Sequence, residues 1–348
     1  MRIEFLSNHG AMGGGEVMLF QLAEAGRENG HEIAVIGPRD SEVTRHAQAM
    51  GIPFIGVDGT DRKSLVARYS SHASSSEADL LWCNGPVPSV ATALSRVPRI
   101  VHLHQLPSRS QSLMLKIPRR RAVATLVPSR SMATAISGSV PFLNWTAEPP
   151  VSFRDPSRTF LGQRGSSKTE PLRIGFIGRL STVKGVDVLA DAVSRLSDDI
   201  HVRLVVAGDH RFVPEESSRR VRDALERISD RVDMVGWIDR EAFHRSVDIV
   251  AVPSTWDEPF GLVAAEAMAR RSPLLVTDSG ALPEIVGPDH PWMAQRSDST
   301  GIAAMIQRMI ADPERVEASV RNAHHRWTEN FSPTAGTARL ATLLDDLG

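Results

Sequence analysis

The chain has 348 residues, with 40 lysines and arginines against 41 aspartates and glutamates, a formal net charge of −1. Because single cores usually stop growing at roughly 250 to 300 residues, this length predicts two domains. The balanced charge argues against a dedicated nucleic-acid binder, which normally has a basic excess. The single cysteine, Cys83, excludes a disulfide framework and a cysteine-based zinc site within one chain.

Targeting signals do not stand out in the sequence. The first eight residues are typical of a strand rather than of a signal peptide, and no apolar run approaches the roughly 18 residues of a membrane span. We therefore expect a cytoplasmic protein, at most peripheral to the inner face of the membrane.

Short apolar runs alternate with longer amphipathic segments, the pattern of a parallel sheet covered by helices. In the first half the predicted strands are residues 2–7, 32–37, 80–83, 99–104 and 125–127, and the predicted helices are 16–29, 41–50, 64–75 and 131–137. In the second half the predicted strands are 172–177, 202–207, 232–235, 249–252 and 274–276, and the predicted helices are 186–196, 217–228, 240–246, 261–270, 301–312, 314–326 and 334–347. Each half therefore resembles a Rossmann-type sheet.

The composition also predicts where the domains divide. We expect an N-terminal Rossmann-like domain over residues 1–150 and a C-terminal one over 172–330, followed by a C-terminal helix over 331–348. Residues 151–171 are rich in Pro, Ser, Arg and Gly and predict a linker or surface loop.

Two loops have the composition of phosphate-binding segments. Gly13, Gly14 and Gly15 lie between the first strand and the first helix, where backbone N–H groups can approach an anion. Arg179 and Lys184 flank the loop after strand 172–177, and two cations there can neutralise a diphosphate. Tight packing of the glycines and plain surface exposure of the cations remain alternatives.

Two carboxylates, Glu258 and Glu266, are eight positions apart around a Pro-Phe-Gly turn. If Glu266 lies in a helix that begins near Gly261, both acids can approach that helix's N-terminus, which is itself an anion site. Such acceptors beside an anion site suit a ligand that is part phosphate and part sugar. The alternative is two solvated acids.

Two histidines alternate at the end of the predicted strand 99–104. A histidine in a strand is more often structural than catalytic, and we interpret His102 in that way. His104 lies at the carboxyl end of the strand, where ligands bind in open α/β sheets, so it is a candidate site residue.

Taken together, these segments resemble the retaining, GT-B-fold glycosyltransferases of family four, the glycosyl transferases group 1. The resemblance rests on motifs in the same order along nearly the whole chain: Gly13-Gly-Gly-Glu, His104, Gly178-Arg-Leu with Lys184-Gly, Glu258-Pro-Phe-Gly-Leu through Glu266-Ala-Met-Ala, and Thr277-Asp-Ser-Gly-Ala-Leu-Pro-Glu-Ile-Val. It implies two Rossmann-like domains facing each other across a cleft, with the C-terminal helix packing back on the N-terminal, acceptor-binding domain.

The resemblance also implies roles for single residues. Arg179 and Lys184 would hold the donor diphosphate, Glu266 the ribose and Glu258 the transferred sugar, with His104 beside the reacting sugar. The other implied donor-binding residues are Gly13, Gly14, Gly15, Gly178, Gly208, Gly236, Trp237, Phe260, Gly261 and Leu262. No metal and no cofactor are implied.

The implied reaction moves a hexose or N-acetylhexosamine from a nucleotide-diphosphate sugar, with a UDP-sugar favoured, to a hydroxyl acceptor by front-face attack. The alternatives are a nucleotide-sugar epimerase on the same fold and a non-catalytic nucleotide-sugar-binding protein. Gln105, where many relatives have Asp, and the longer loop over 209–217 are departures that bear on specificity.

We expect the acceptor to be a small molecule or a lipid-linked one. Residues 112–121 combine apolar side chains with Arg119, Arg120 and Arg121. A surface helix with a solvated basic end is the preferred interpretation of this segment, and contact with an anionic membrane surface stays open.

Overall fold

The computed structural model describes residues 1–59, 61–150, 171–211 and 213–347. The predicted linker over 151–171 falls outside these residues, apart from Pro171. The chain divides into two compact units, an N-terminal unit of Met1–Ala147 with Asn330–Gly348 and a C-terminal unit of Glu148–Glu329.

The described strands, in chain order, are β1 (Arg2–Leu6), β2 (Glu32–Pro38), β3 (Phe54–Val57), β4 (Leu80–Asn84), β5 (Arg99–His102), β6 (Ala124–Val127), β7 (Val140–Pro141), β8 (Leu172–Ile177), β9 (Val202–Ala207), β10 (Val232–Gly236), β11 (Ile249–Val252), β12 (Leu274–Thr277) and β13 (Met293–Ala294). The described α-helices are α1 (Gly14–Glu28), α2 (Glu42–Ala49), α3 (Arg62–Ser75), α4 (Pro86–Ala91), α5 (Arg109–Met114), α6 (Lys116–Arg120), α7 (Arg130–Ala135), α8 (Val186–Ser194), α9 (Glu215–Glu226), α10 (Arg240–Ser246), α11 (Leu262–Ala269), α12 (Leu282–Val286), α13 (Ser299–Ala311), α14 (Pro313–Asn330) and α15 (Pro333–Asp345).

The N-terminal unit is a parallel sheet in the order β3-β2-β1-β4-β5-β6-β7. Its strands are apolar on both faces because helices cover both. Phe5 belongs to the core that includes α1, whereas the next residue, Leu6, belongs to the core that includes Tyr69 of α3. This alternation follows from the two-residue period of a strand.

The C-terminal helix belongs to the N-terminal unit. Leu340 and Leu344 of α15 join the core that contains Leu19 and Leu22 of α1. Gly336 of α15 lies so close to Trp145 that an added Cβ would be 2.1 Å from the indole Cδ2. The helix therefore packs on this unit through a small residue, as the resemblance implies.

The C-terminal unit repeats the plan, with a parallel sheet in the order β10-β9-β8-β11-β12-β13. In both units the first strand lies between the second and the fourth, so the strand order reverses beside it. The fold class is confirmed as α/β with two Rossmann-like parallel sheets. Ligands of such sheets bind at the carboxyl ends of the strands, at the reversal point.

The sequence pattern missed several short elements, namely β3, β7, β13, α4 and α12, whereas the segment 112–121, interpreted as a surface helix, overlaps α5 and α6. Elements of two to six residues are too short to show a period, and α4 and α12 contain proline. The predicted strand 99–104 was too long, because β5 ends at His102 and His104 lies in the following loop. The predicted helix 64–75 begins two residues earlier, at Arg62, because Asp61 caps α3.

Candidate functional site

In the C-terminal unit, an ion pair joins the loops that follow β8 and β11, the two strands at the reversal point. Lys184 donates to both carboxylate oxygens of Glu258, with Nζ 2.8 Å from Oε1 and 2.9 Å from Oε2. The Lys184 side chain is 23% exposed and that of Glu258 is 10% exposed. The structure thus brings together two residues that the sequence analysis assigned to different parts of a ligand.

Backbone contacts place these loops side by side. Lys184 ends a 3₁₀ turn, and Gly185 follows it in the left-handed region with φ +74°. An added Cβ at Gly185 would lie 1.9 Å from the carbonyl oxygen of Pro253, so only glycine permits this approach. Thr255 completes the junction by donating its N–H to the carbonyl of Val183, at 3.0 Å.

The Glu258 carboxylate has further donors from its own loop. Ser254 Oγ and Trp256 Nε1 donate to Oε2, at 2.9 Å and 3.1 Å. Lys184 Nζ also lies 5.6 Å from the centroid of the Trp256 ring. The Glu258 carboxylate is therefore already well hydrogen-bonded. A ligand phosphate that binds Lys184 must either share the ammonium group with this carboxylate or displace the carboxylate.

Arg179 provides a second cation at the end of β8. It is exposed, and within the described part of the chain its guanidinium has no ion-pair partner. The neighbouring backbone links the ends of β8, β9 and β10, since Gly178 donates to Ala207 O and Gly208 donates to Gly236 O. Three of the predicted donor-binding glycines, Gly178, Gly208 and Gly236, therefore lie together at the ends of neighbouring strands.

Helix α11 begins directly after Gly261, which has φ +99° and no side chain to cap the helix. The first backbone bonds of the helix come from Ala264 and Ala265, which donate to Gly261 O. The N–H groups of Leu262 and Val263 precede them and have no acceptor within the helix, which leaves donors for an anion. Phe260 is buried before the turn.

Glu266 lies in the second turn of α11 and has different partners from Glu258. Arg240 Nε lies 3.2 Å from its Oε1, and the Glu266 side chain is only 8% exposed. Burial raises the pKa of Glu266, while the guanidinium groups of Arg240 and Arg270 oppose this shift. The two acids of the motif are thus held in two separate ionic clusters.

Trp237 follows β10 and is 80% exposed. The guanidinium of Arg211 lies over its ring, 5.1 Å from the centroid. Asp209 orients Arg211 by accepting from its Nε at 2.6 Å. An exposed indole with a cation on one face leaves the other face available for a flat ring.

In the N-terminal unit, the glycine loop forms the open end of α1. Gly13 is the N-cap and makes no side-chain cap, and the helix starts at Gly14. Glu16 accepts from the backbone N–H of Gly13, and burial raises the pKa of Glu16 to about 7. Its carboxylate Oε1 lies 3.7 Å from Nδ1 of His9. The free N–H groups at this helix end are those of Gly14 and Gly15.

His104 lies against this loop. Its Nε2 is 2.6 Å from Oδ1 of Asn84, and Nδ2 of Asn84 donates to Gly15 O at 3.1 Å. Burial lowers the pKa of His104 to about 4, so the ring is neutral at pH 7. His102 is fully buried and accepts from Trp82 Nε1 through its Nδ1, at 3.3 Å.

Sequence reasoning missed several partners of these residues, namely Glu16 as a buried acid, Asn84, Arg240, Ser254 and Trp256. Asn84 offered a signal, because a polar residue ends the apolar run 80–83 at the ligand edge of a central strand. The partners of Glu258 and Glu266 gave no signal in the sequence, since neutral or basic residues are common in loops and short helices.

The basic segment of the N-terminal unit forms α5 and α6. Leu113, Met114 and Ile117 are 65%, 59% and 63% exposed. Lys116 and Arg120 are exposed beside them. Within the described residues, no helix combines the length and the apolar character that crossing a membrane requires.

Comparison with known proteins agrees with the two-unit architecture. The structure resembles GT-B proteins such as Anabaena Alr3699/HepE in complex with UDP and glucose, with a TM-score of 0.83 at 22% identity over 99% of each chain. The family model for glycosyl transferases group 1 matches residues 171–312, and the model for Glycosyltransferase Family 4 matches residues 12–141. The two halves of the chain thus match a glycosyl transferases group 1 domain and a Glycosyltransferase Family 4 domain, and the fold is that of the GT-B proteins.

Curated relatives match over shorter stretches. A D-inositol 3-phosphate glycosyltransferase of Xylanimonas cellulosilytica is 34% identical over 196 residues, which are 53% of this chain and 46% of that protein. The uncharacterized glycosyltransferase MJ1607 of Methanocaldococcus jannaschii is 30% identical over 168 residues, which are 45% of this chain and 40% of that protein. The chain thus spans less than half the length of these relatives.

Proposed function

We propose that the protein is a metal-independent, retaining glycosyltransferase that moves a hexose or N-acetylhexosamine from a nucleotide-diphosphate sugar to a hydroxyl acceptor. The observation that carries this proposal is the meeting of Lys184 and Glu258 at the strand reversal of a group 1 domain. A cation, a sugar-binding carboxylate and the open N-terminus of α11 follow two neighbouring strands of one sheet. That combination suits a ligand with a diphosphate and a sugar.

The proposed chemistry follows from where charge develops. As the bond between the anomeric carbon and the diphosphate oxygen breaks, the sugar becomes oxocarbenium-like and the leaving diphosphate gains negative charge. Arg179, Lys184 and the N–H groups of α11 stabilise that charge, and each well-aimed donor contributes on the order of 3 kcal/mol. These fixed positive groups do the work for which other enzymes use a divalent metal.

Retention is explained by attack on the same face from which the diphosphate leaves. The acceptor oxygen bonds to the anomeric carbon, and its proton passes to an oxygen of the leaving phosphate. Glu258 then binds sugar hydroxyls rather than forming a covalent intermediate. Glu266 would accept from the ribose hydroxyls, and Trp237 would frame the nucleobase.

UDP is the favoured nucleotide. The fold match to Alr3699/HepE includes a complex with UDP-glucose, with a TM-score of 0.83 at 22% identity. A match at this identity shows a shared fold, so the choice of UDP for this chain rests on the resemblance together with that complex.

The test begins with a thermal-shift panel of UDP, GDP, ADP and dTDP sugars together with nicotinamide cofactors, followed by transfer assays in EDTA with the donor that stabilises most. We expect transfer in EDTA that is lost in Arg179→Ala and Lys184→Ala and kept in Arg308→Ala, a matched loss of an exposed arginine in the same unit. Stabilisation by nicotinamide cofactors alone contradicts the proposal. Epimerised donor without acceptor shows an epimerase, and donor binding without transfer in acceptor screens shows a binding protein.

We further propose that α5 and α6 rest on an anionic lipid surface, where a lipid-linked acceptor would be found. Residues 80–147 contain eight lysines and arginines and no acid, and Leu113, Met114 and Ile117 of α5 and α6 project into solvent. Cations around exposed apolar groups match an anionic interface.

Vesicle co-sedimentation tests this contact, with phosphatidylglycerol vesicles against phosphatidylcholine vesicles. Lys116→Glu with Arg120→Glu should abolish binding to the anionic vesicles. The matched pair Lys63→Glu with Arg68→Glu, also one lysine and one arginine on a helix of this unit, should keep it. Equal losses in both pairs would point to net charge alone and refute the assignment of the surface.

A further inference from the structure

The side chain of Asn84 lies between His104 and the glycine loop of the N-terminal unit. Asn84 is the last residue of β4 and is completely buried. Its side chain makes one hydrogen bond to the glycine loop and one to His104. Its Nδ2 is 3.1 Å from the carbonyl oxygen of Gly15, and its Oδ1 is 2.6 Å from Nε2 of His104. One amide therefore joins the carboxyl end of a central strand, the first turn of α1 and the histidine.

The chemistry of these groups determines which atom donates. A carbonyl oxygen can only accept, so the amide nitrogen of Asn84 must face Gly15 and the amide oxygen must face His104. An amide oxygen can only accept, so Nε2 of His104 must carry the hydrogen. In a neutral imidazole the other nitrogen then has a free lone pair.

That other nitrogen is the unusual feature. Nδ1 of His104 is buried and has no hydrogen-bond partner in the described part of the chain. The ring of His102 packs against the ring of His104, with centroids 4.1 Å apart. Nδ1 of His102 accepts from Trp82, and its Nε2 is likewise buried without a partner within the described residues. Burial of a polar atom without a partner costs free energy, which favours any group that supplies the missing donor.

We propose that Asn84 is a positioning residue that locks His104 in the Nε2–H tautomer and so leaves Nδ1 as the acceptor atom of the ring. The tautomer follows from contacts within the N-terminal unit and does not depend on the proposed function.

The closing experiment observes the tautomer directly. In protein labelled with ¹⁵N-histidine, long-range ¹H–¹⁵N correlation at pH 7.5 should show Nε2 of His104 protonated and Nδ1 not protonated, with His104→Gln to assign the signals. Asn84→Ala should shift both nitrogens toward the average of a tautomer mixture. Asn84→Asp should keep the Nε2–H tautomer, because its carboxylate still accepts from Nε2. Asn29→Ala is the matched control, since that asparagine also donates to a carbonyl of this unit.

The outcomes separate this inference from the proposed function. A protonated Nδ1 in the parent protein, or unchanged signals in Asn84→Ala, would overturn the positioning role. If no nucleotide sugar of the thermal-shift panel binds, the proposed function fails while the tautomer result stands. Asn84→Ala should lower transfer about tenfold, the loss expected for one neutral hydrogen bond, with Asn29→Ala unchanged.

Discussion

Replacing Lys184 with methionine removes the cation of the buried pair while keeping the length of the side chain. The Glu258 carboxylate then retains two neutral donors, Ser254 Oγ and Trp256 Nε1. Breaking a fully buried pair costs about 3–5 kcal/mol because an unpaired charge is left inside. The Lys184 side chain is 23% exposed and two donors remain, so the loss should be smaller.

We expect Lys184→Met to lower the free energy of unfolding by about 2–3 kcal/mol. For a unit of this size that corresponds to a fall in Tm of about 5–10 °C. Urea unfolding at pH 7, followed by circular dichroism, measures the change. Lys63→Met is the control, because Lys63 is exposed and within the described residues has no ion-pair partner, and it should stay within about 0.5 kcal/mol of the parent.

A double-mutant cycle isolates the pair itself. Glu258→Gln alone leaves the Lys184 ammonium without its carboxylate, and the double variant removes both charges. The double variant should therefore be more stable than the sum of the single losses predicts, by about 1–2 kcal/mol. Losses that add to within about 0.5 kcal/mol would show that the two side chains do not interact, and would refute the reasoning.

Three other outcomes follow from the same contacts. The raised pKa of Glu16, about 7, means that the folded state keeps a proton that the unfolded chain loses near 4.5, so stability should fall as pH rises between these values. Glu16→Gln should match the parent at pH 4 in urea unfolding and exceed it by about 2–3 kcal/mol at pH 8, and a constant difference across pH would contradict the shift. Gly185→Ala should destabilise far more than Gly236→Ala, because both have positive φ but only Gly185 meets backbone within 4 Å; equal falls in Tm would refute the role of close approach. Glu258→Gln should bind UDP several-fold more tightly in calorimetry, since Lys184 is released to the diphosphate, and weaker binding would show that the pair does not compete with the ligand.

The sequence pattern predicted the longer elements well, because the apolar periodicity of each one lies within its own residues. Strands 172–177, 202–207 and 249–252 begin and end in the structure at the predicted residues. Their apolar runs are bounded by glycine, proline or polar residues, which end a strand locally. The predicted strand 99–104 extends two residues too far. His104 lies beyond the end of β5 and bonds Asn84, which belongs to another strand.

The candidate site was predicted in part. The sequence placed Arg179 and Lys184 after one strand and Glu258 after another, at the edge where ligands bind. It assigned Lys184 and Glu258 separate roles, whereas the structure pairs them. That contact depends on the approach of Gly185 to Pro253, which neither segment encodes by itself.

By itself, then, the sequence determined two α/β units, their principal strands and helices, and which residues follow the strands. Those features depend on neighbours within a few positions along the chain, where apolar periodicity and turn residues act. Only the tertiary structure decided that Lys184 meets Glu258, that Arg240 meets Glu266, and that Asn84 meets both His104 and Gly15. The physical reason is that strand order decides which loops adjoin, and strand order results from packing whole helices and strands together, which no local pattern records.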